Sequence, residues 1–185
     1  MKNKKYIFIL FILVVLIQLF VPLNITFEHK NILKNGKEYK FEVAPIDPTD
    51  PFRGKYITLR YKNNTFMVKN YVSWKRNDDV YVLFSTDNKG FAKIKSISKK
   101  KPGNNKFYLK STIIYLNYIN KEIIINYPFN RYYIGEYKAK KTEEIYRKYL
   151  NDSTKTIYAL VKIKNGKAVI KDIRVNKKSI KQLFK

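Results

Sequence analysis

Residues 6–23 form a continuous uncharged run in which only Gln18 and Pro22 interrupt an otherwise apolar sequence. Wound as an α-helix, such a run rises ~27 Å, close to the ~30 Å hydrocarbon thickness of a bilayer. A core helix of a soluble domain normally keeps a polar stripe. This run is apolar on every side, so lipid is its natural surrounding. A cleavable secretory signal has a shorter apolar core and then small residues at the cut. Val21-Pro22-Leu23-Asn24-Ile25-Thr26 offers no pair of small residues, which favours an uncleaved signal-anchor over residues 1–23. Lys2, Lys4 and Lys5 precede the run without an acidic residue among them. The positive-inside rule then expects a cytoplasmic N-terminus in a bacterial cytoplasmic membrane, with one extracytoplasmic domain over residues 24–185.

The composition of that remainder limits its chemistry. There is no cysteine, which excludes disulfides, thiolate metal sites and a lipidated cysteine, and fits a bacterial envelope setting. Tyrosine and phenylalanine abound, 16 and 12 residues in the full chain and most of them after the anchor, and aromatic and β-branched side chains suit half-buried pleated surfaces. The chain carries a net charge of +25, and taking away the three anchor lysines leaves +22 on the remainder (25 − 3 = 22), which expects attraction to anionic headgroups or wall polymers. A/T-rich coding bias raises Lys, Asn, Ile, Tyr and Phe together. It raises Glu as well, so it leaves the excess of Lys over Glu unexplained. No nucleic-acid-binding module is recognisable, and nucleic acid is not expected as a partner.

Alternation and turn residues mark out strands. Residues 24–33 read as an extended piece leaving the membrane. Asn35-Gly36 then reads as a tight turn into residues 37–43, where Tyr39, Phe41 and Val43 share one face. Pro45, Pro48 and Pro51 make a rigid loop. Further strands are expected over residues 55–61, 80–84, 91–97, 107–116, 122–127, 156–163 and 168–175, the last two joined by an Asn165-Gly166 hairpin turn. In residues 55–61, Ile57, Leu59 and Tyr61 share one face and Tyr56, Thr58 and Arg60 the other. A single soluble helix is expected over residues 142–150, with Thr142 capping it and Glu143 and Glu144 in its first turn. The basic tail, residues 177–185, is expected to fray or lie on the surface. The sum is a mainly β (β-rich α+β) protein: an N-terminal transmembrane helix plus one antiparallel β-barrel or sandwich-like domain of about eight strands with one short helix.

Two blocks stand out. Gly54-Lys55-Tyr56-Ile57-Thr58-Leu59-Arg60-Tyr61 resembles the defining segment of the GDYXXLXY protein family. Gly54, Tyr56, Leu59 and Tyr61 match it, and Lys55 stands where the family usually has an aspartate. Pro45-Ile46-Asp47-Pro48 and Phe52-Arg53-Gly54 also look like the family. Tyr127-Pro128-Phe129-Asn130-Arg131-Tyr132-Tyr133-Ile134-Gly135-Glu136 is similar to the family's second block through Arg131, Tyr132 and Glu136, with Gly135 replacing a proline. The resemblance covers residues 37–175. It implies a small protein held by one N-terminal helix, without family catalytic residues, and in some cases encoded beside a polytopic membrane protein.

The candidate site residues are therefore Asp47, Asp50, Arg53, Gly54, Tyr56, Leu59, Tyr61, Arg131, Tyr132 and Glu136. As a site, Asp47 and Asp50 supply acid/base groups or cation ligands, and Arg53 and Arg131 orient a carboxylate or phosphate. As structure, Asp before Pro starts turns, Arg53 pairs with one of the aspartates, and Arg131 pairs with Glu136. Lys55 favours structure, because an obligatory carboxylate could not have become an ammonium. His29 is the only histidine and Ser73 the first serine, so a His-based metal site or a Ser–Lys dyad directly behind the anchor is not expected. Trp74 and the tyrosines could stack on sugars or simply pair across strands. No cofactor or metal is implied. The leading expectation is a non-enzymatic accessory or binding protein. It contacts the bilayer through residues 6–23, and acts with a polytopic membrane protein, anionic lipid or wall polymer. The alternative is an envelope hydrolase or transferase using Asp47, Asp50, Arg53, Arg131 and Glu136. A third reading is a structural subunit, which would show an exposed apolar or aromatic face to another membrane chain.

Overall fold

The computed structural model describes residues 2–44, 56–133, 149 and 155–183. The proline-rich segment with Asp47, Asp50, Arg53 and Gly54, the residue Glu136, and nearly all of the helix expected over residues 142–150 lie outside them. Tyr149 alone of that stretch is described, and it is helical.

The chain opens with one helix, α1 (Lys2–Asn35), 34 residues long. Its apolar stretch has none of its surface buried inside the protein. The extended piece and hairpin expected over residues 24–43 are not formed: α1 continues through residues 24–35. Asn35-Gly36 is the helix end, where the Gly36 amide donates to the Ile32 carbonyl at 2.8 Å. Glycine is needed there for closeness. A Cβ on Gly36 would stand 2.5 Å from the Ile32 oxygen and 3.2 Å from the Ile163 nitrogen.

Twelve strands follow among the described residues: β1 (Lys37–Ala44), β2 (Tyr56–Thr58), β3 (Arg60–Tyr61), β4 (Thr65–Met67), β5 (Asp79–Thr86), β6 (Ala92–Ser98), β7 (Tyr108–Asn117), β8 (Glu122–Asn126), β9 (Arg131–Tyr133), β10 (Ile157–Lys164), β11 (Lys167–Val175) and β12 (Lys178–Ser179). They form two five-stranded antiparallel sheets, ordered β12-β11-β10-β1-β3 and β4-β8-β7-β5-β6, and a two-stranded ladder, β2-β9. Isolated bridges between Lys40 and Phe91 and between Leu109 and Gly166 link the two large sheets, giving a nearly closed barrel-like body. The expected hairpin at Asn165-Gly166 is present, with φ of 50° and 83°. Its tip docks on β7: Gly166 donates to the Tyr108 carbonyl, and Lys110 donates to that of Gly166, both at 2.9 Å.

Alternation explains the core. Tyr39, Phe41 and Val43 of β1 face inward with Val80, Val82 and Phe84 of β5 and Ile123 and Ile125 of β8. In β7 a register shift between Ile113 and Tyr115 lets Ile113 and Leu116 both point in while Ile114 and Tyr115 point out. The tail does not fray: β12 pairs with β11, and Ile180, in a short 3₁₀ turn behind it, is fully buried.

The domain-proximal half of α1 is fastened to the barrel. Ile32 is buried, Lys167 pairs with Glu28, Lys164 donates to the Asn31 side chain at 3.0 Å, and Lys162 donates to the Gly36 carbonyl at 3.1 Å.

Candidate functional site

The two blocks singled out in the sequence meet as neighbouring strands. β2 and β9 pair Tyr56 with Tyr133, Ile57 with Tyr132 and Thr58 with Arg131. The Leu59 amide extends this contact by donating to the Asn130 carbonyl at 2.7 Å. The chain then changes sheets, because β3 pairs Tyr61 with Val43 and Arg60 with Ala44 of β1. Leu59, buried, sits at that corner.

Two phenols tie the blocks together. Tyr61 donates to the Phe129 carbonyl at 2.8 Å, and Tyr127 donates to the Asn63 carbonyl at 2.6 Å. Each tyrosine thus satisfies a backbone oxygen beside the other one. Their rings pack at 5.7 Å, Tyr127 stacks on Phe129 at 5.2 Å, and Phe41 meets Tyr61, Tyr127 and Phe129 edge-on at 5.6, 5.4 and 5.0 Å. Burial pushes the Tyr127 phenol well above its ordinary range.

Tyr132 is buried on the other side of the ladder, and its hydroxyl finds no hydrogen-bond partner among the described residues. Burial, with a smaller contribution from the Asp172 carboxylate, pushes it up to about 12. Asp172 is itself held by the Ser179 hydroxyl at 2.8 Å and by Arg174 at 3.3 Å. The solvent side carries the remaining matched residues. The Arg131 guanidinium lies 4.9 Å from the Tyr56 ring centre, and Tyr133 packs on that ring at 5.6 Å. The Arg131–Glu136 pair expected from the sequence lies outside the described residues.

An open cleft of about 270 Å³ opens where the blocks join, lined by Thr58, Arg60, Asn64, Asn126 and Asn130 above the buried rings of Tyr61 and Tyr127. One guanidinium, three amides and a hydroxyl suit an anionic or hydroxyl-rich ligand. Among the described lining there is no carboxylate or nucleophile–base pair to drive hydrolysis. Arg60, Asn130 and Phe41 were not singled out as site residues. Only alternation marks Phe41 and Arg60, and Asn130 lies within the second block without being one of its matched positions.

The comparison with protein families matches residues 18–173 to the GDYXXLXY protein family. The chain belongs to that family. No curated protein and no solved structure matches it. The match begins upstream of the barrel, so the GDYXXLXY unit takes in the second half of α1 as well as both blocks. Within it Tyr56 is brought against Arg131, and Leu59 and Tyr61 are buried and bonded to the backbone of Asn130 and Phe129. The GDYXXLXY signature is, at these positions, a joint between two sheets.

Proposed function

We propose that this protein is a non-enzymatic accessory or binding module of the bacterial envelope. A single helix holds it in the cytoplasmic membrane, with the basic barrel on the extracytoplasmic side. The observation that carries the reading is α1. No residue of its apolar run is buried in the protein, yet the same helix continues into a stretch fastened to the barrel by Ile32, Glu28 and Asn31. An exposed apolar cylinder of this length is stable in lipid and costly in water. In the test, membranes carrying the full chain with a C-terminal tag are washed with alkali, and protease is added to intact spheroplasts. Retention of the chain with loss of the tag is expected. A shed chain, or a tag protected from protease, would overturn the reading.

A partner chain is favoured by one further observation. At the β7–β8 turn, Tyr118 and Ile119 are 75% and 92% exposed, and Met67 and Val72 beside them are 71% and 89% exposed. Tyr118 packs on Tyr71 at 4.8 Å, which joins the turn to the segment carrying Val72. Patches of this kind mark interaction sites. The hydrolase or transferase alternative needs Asp47, Asp50, Arg53 and Glu136 to gather around Arg131. Alanine at Arg53 and Arg131 separates the two: lost stability fits a joint, whereas unchanged melting with lost turnover fits catalysis.

A further inference from the structure

A crevice of about 410 Å³ lies between α1 and the barrel, lined by Ile25, Glu28, His29 and Ile32 on one side and by Lys110, Pro128, Lys167 and Ala168 among those on the other. The helix residues recur at three- and four-residue steps, so they form one face. Ile25 follows Leu23, the last residue of the apolar run, by two positions, or ~3 Å along the axis, and Ile32 lies ~14 Å along. The headgroup layer outside the hydrocarbon core is ~5–8 Å deep on each side. If the run fills the core, the crevice therefore opens within that layer and rises above it.

Its lining is divided in the same sense. Ile25, Ile32, Pro128 and Ala168 are apolar, whereas Lys110 and Lys167 supply two ammonium groups. Both lysines already have exposed partners, Asp79 at 2.8 Å for Lys110 and Glu28 for Lys167. Exposed pairs of this type are weak and exchange readily. A phosphate can replace a carboxylate on such a lysine without leaving a buried charge unpaired.

We propose that this crevice binds one anionic phospholipid of the anchoring bilayer. The headgroup phosphate accepts hydrogen bonds from Lys110 and Lys167, and the first acyl methylenes run along Ile25 toward the membrane core. The site rests on the anchored reading of α1 and specifies a lipid partner for it. The barrel is then seated on the bilayer by a lipid as well as by its helix.

The full chain, reconstituted in vesicles of mixed phosphatidylglycerol and phosphatidylcholine and extracted in mild detergent, is examined by native mass spectrometry for retained lipid. Wild type is expected to retain phosphatidylglycerol about tenfold over phosphatidylcholine, as two lysines near a lipid phosphate allow. Lys110→Gln with Lys167→Gln is expected to lose that preference while its melting temperature falls by no more than the loss of two exposed ion pairs allows. Ala168→Trp, which fills the crevice and leaves both charges in place, is expected to lose the bound lipid altogether. Equal retention of the two lipids by wild type, or undiminished preference in the double variant, would overturn the site. A chain that stays in alkali-washed vesicles yet retains no phosphatidylglycerol overturns the crevice alone. A chain that washes off overturns the anchor and the crevice together.

Discussion

Two aromatic clusters in this protein are built from the same residue types and behave in opposite ways. Around Phe41, the rings of Tyr61, Tyr127 and Phe129 are buried, and both tyrosine hydroxyls are bonded to backbone carbonyls. At the β7–β8 turn, Tyr115 and Tyr118 are exposed beside Ile119 and Val72. The first cluster contains Tyr61 of the family signature, and the second contains none of its described residues. The difference teaches that Leu59 and Tyr61 of the signature are engaged in the joint between the sheets, whereas aromatic residues at the β7–β8 turn lie open to solvent.

The sharpest way to break the contrast is to remove the centre of the buried cluster. Phe41→Ala is expected to cost ~3–5 kcal/mol, because the site is enclosed by rings that cannot collapse into the space. That is a large share of the ~5–15 kcal/mol typical of a domain, and urea unfolding of the detergent-solubilised chain would show it. Gly36→Ala comes next, at ~1–3 kcal/mol, since the added Cβ strikes the Ile32 carbonyl oxygen and the β10 backbone. A melting temperature equal to wild type would show that the helix and the barrel are not pressed together as described.

Tyr132 gives a pH-dependent comparison. The folded phenol titrates at about 12, against an ordinary value of 10.0. Between these values the unfolded chain has released the proton and the folded chain still holds it, so stability falls as pH rises from about 10. Tyr132→Phe is expected to leave neutral stability the same or slightly higher, because it removes a buried hydroxyl without a partner among the described residues. It should also flatten the alkaline decline in a pH series of thermal melts. The smallest effect belongs to the other cluster. Ile119→Asp and Val72→Asp are expected to shift stability by less than ~0.5 kcal/mol. A larger loss would mean the patch is part of the fold rather than a surface held ready for a partner.

Much of the barrel was legible because its strands alternate over enough residues to show a period. Tyr39, Phe41 and Val43 are the plain case. Asn165-Gly166 was legible because a two-residue turn with positive φ at both positions admits few residue types. Asn35-Gly36 has the same letters and a different role. Glycine also ends helices, and the choice between the two depended on contacts with Ile163 that no local pattern contains. The helical spacing of Ile25, Glu28, His29 and Ile32 is present in the sequence, but four residues at such steps do not by themselves separate a continuing helix from an extended exit over residues 24–33. β4, β9 and β12 are two or three residues long, too short to carry a period. The pairing of β2 with β9 joins segments far apart in the chain, so the sequence showed both halves of the joint without showing that they touch.

One mechanical consequence follows from the way α1 ends. The helix is ~51 Å long and passes into β1 through Gly36 alone, with the barrel clamped along its last turns. In an anchored chain it acts as a mast fixed to its cargo. Transmembrane helices lean further as a bilayer thins, and a lean of ~10° over this length carries the upper end ~9 Å sideways. Membrane thickness would thus set the bearing of the whole barrel, which turns with the mast.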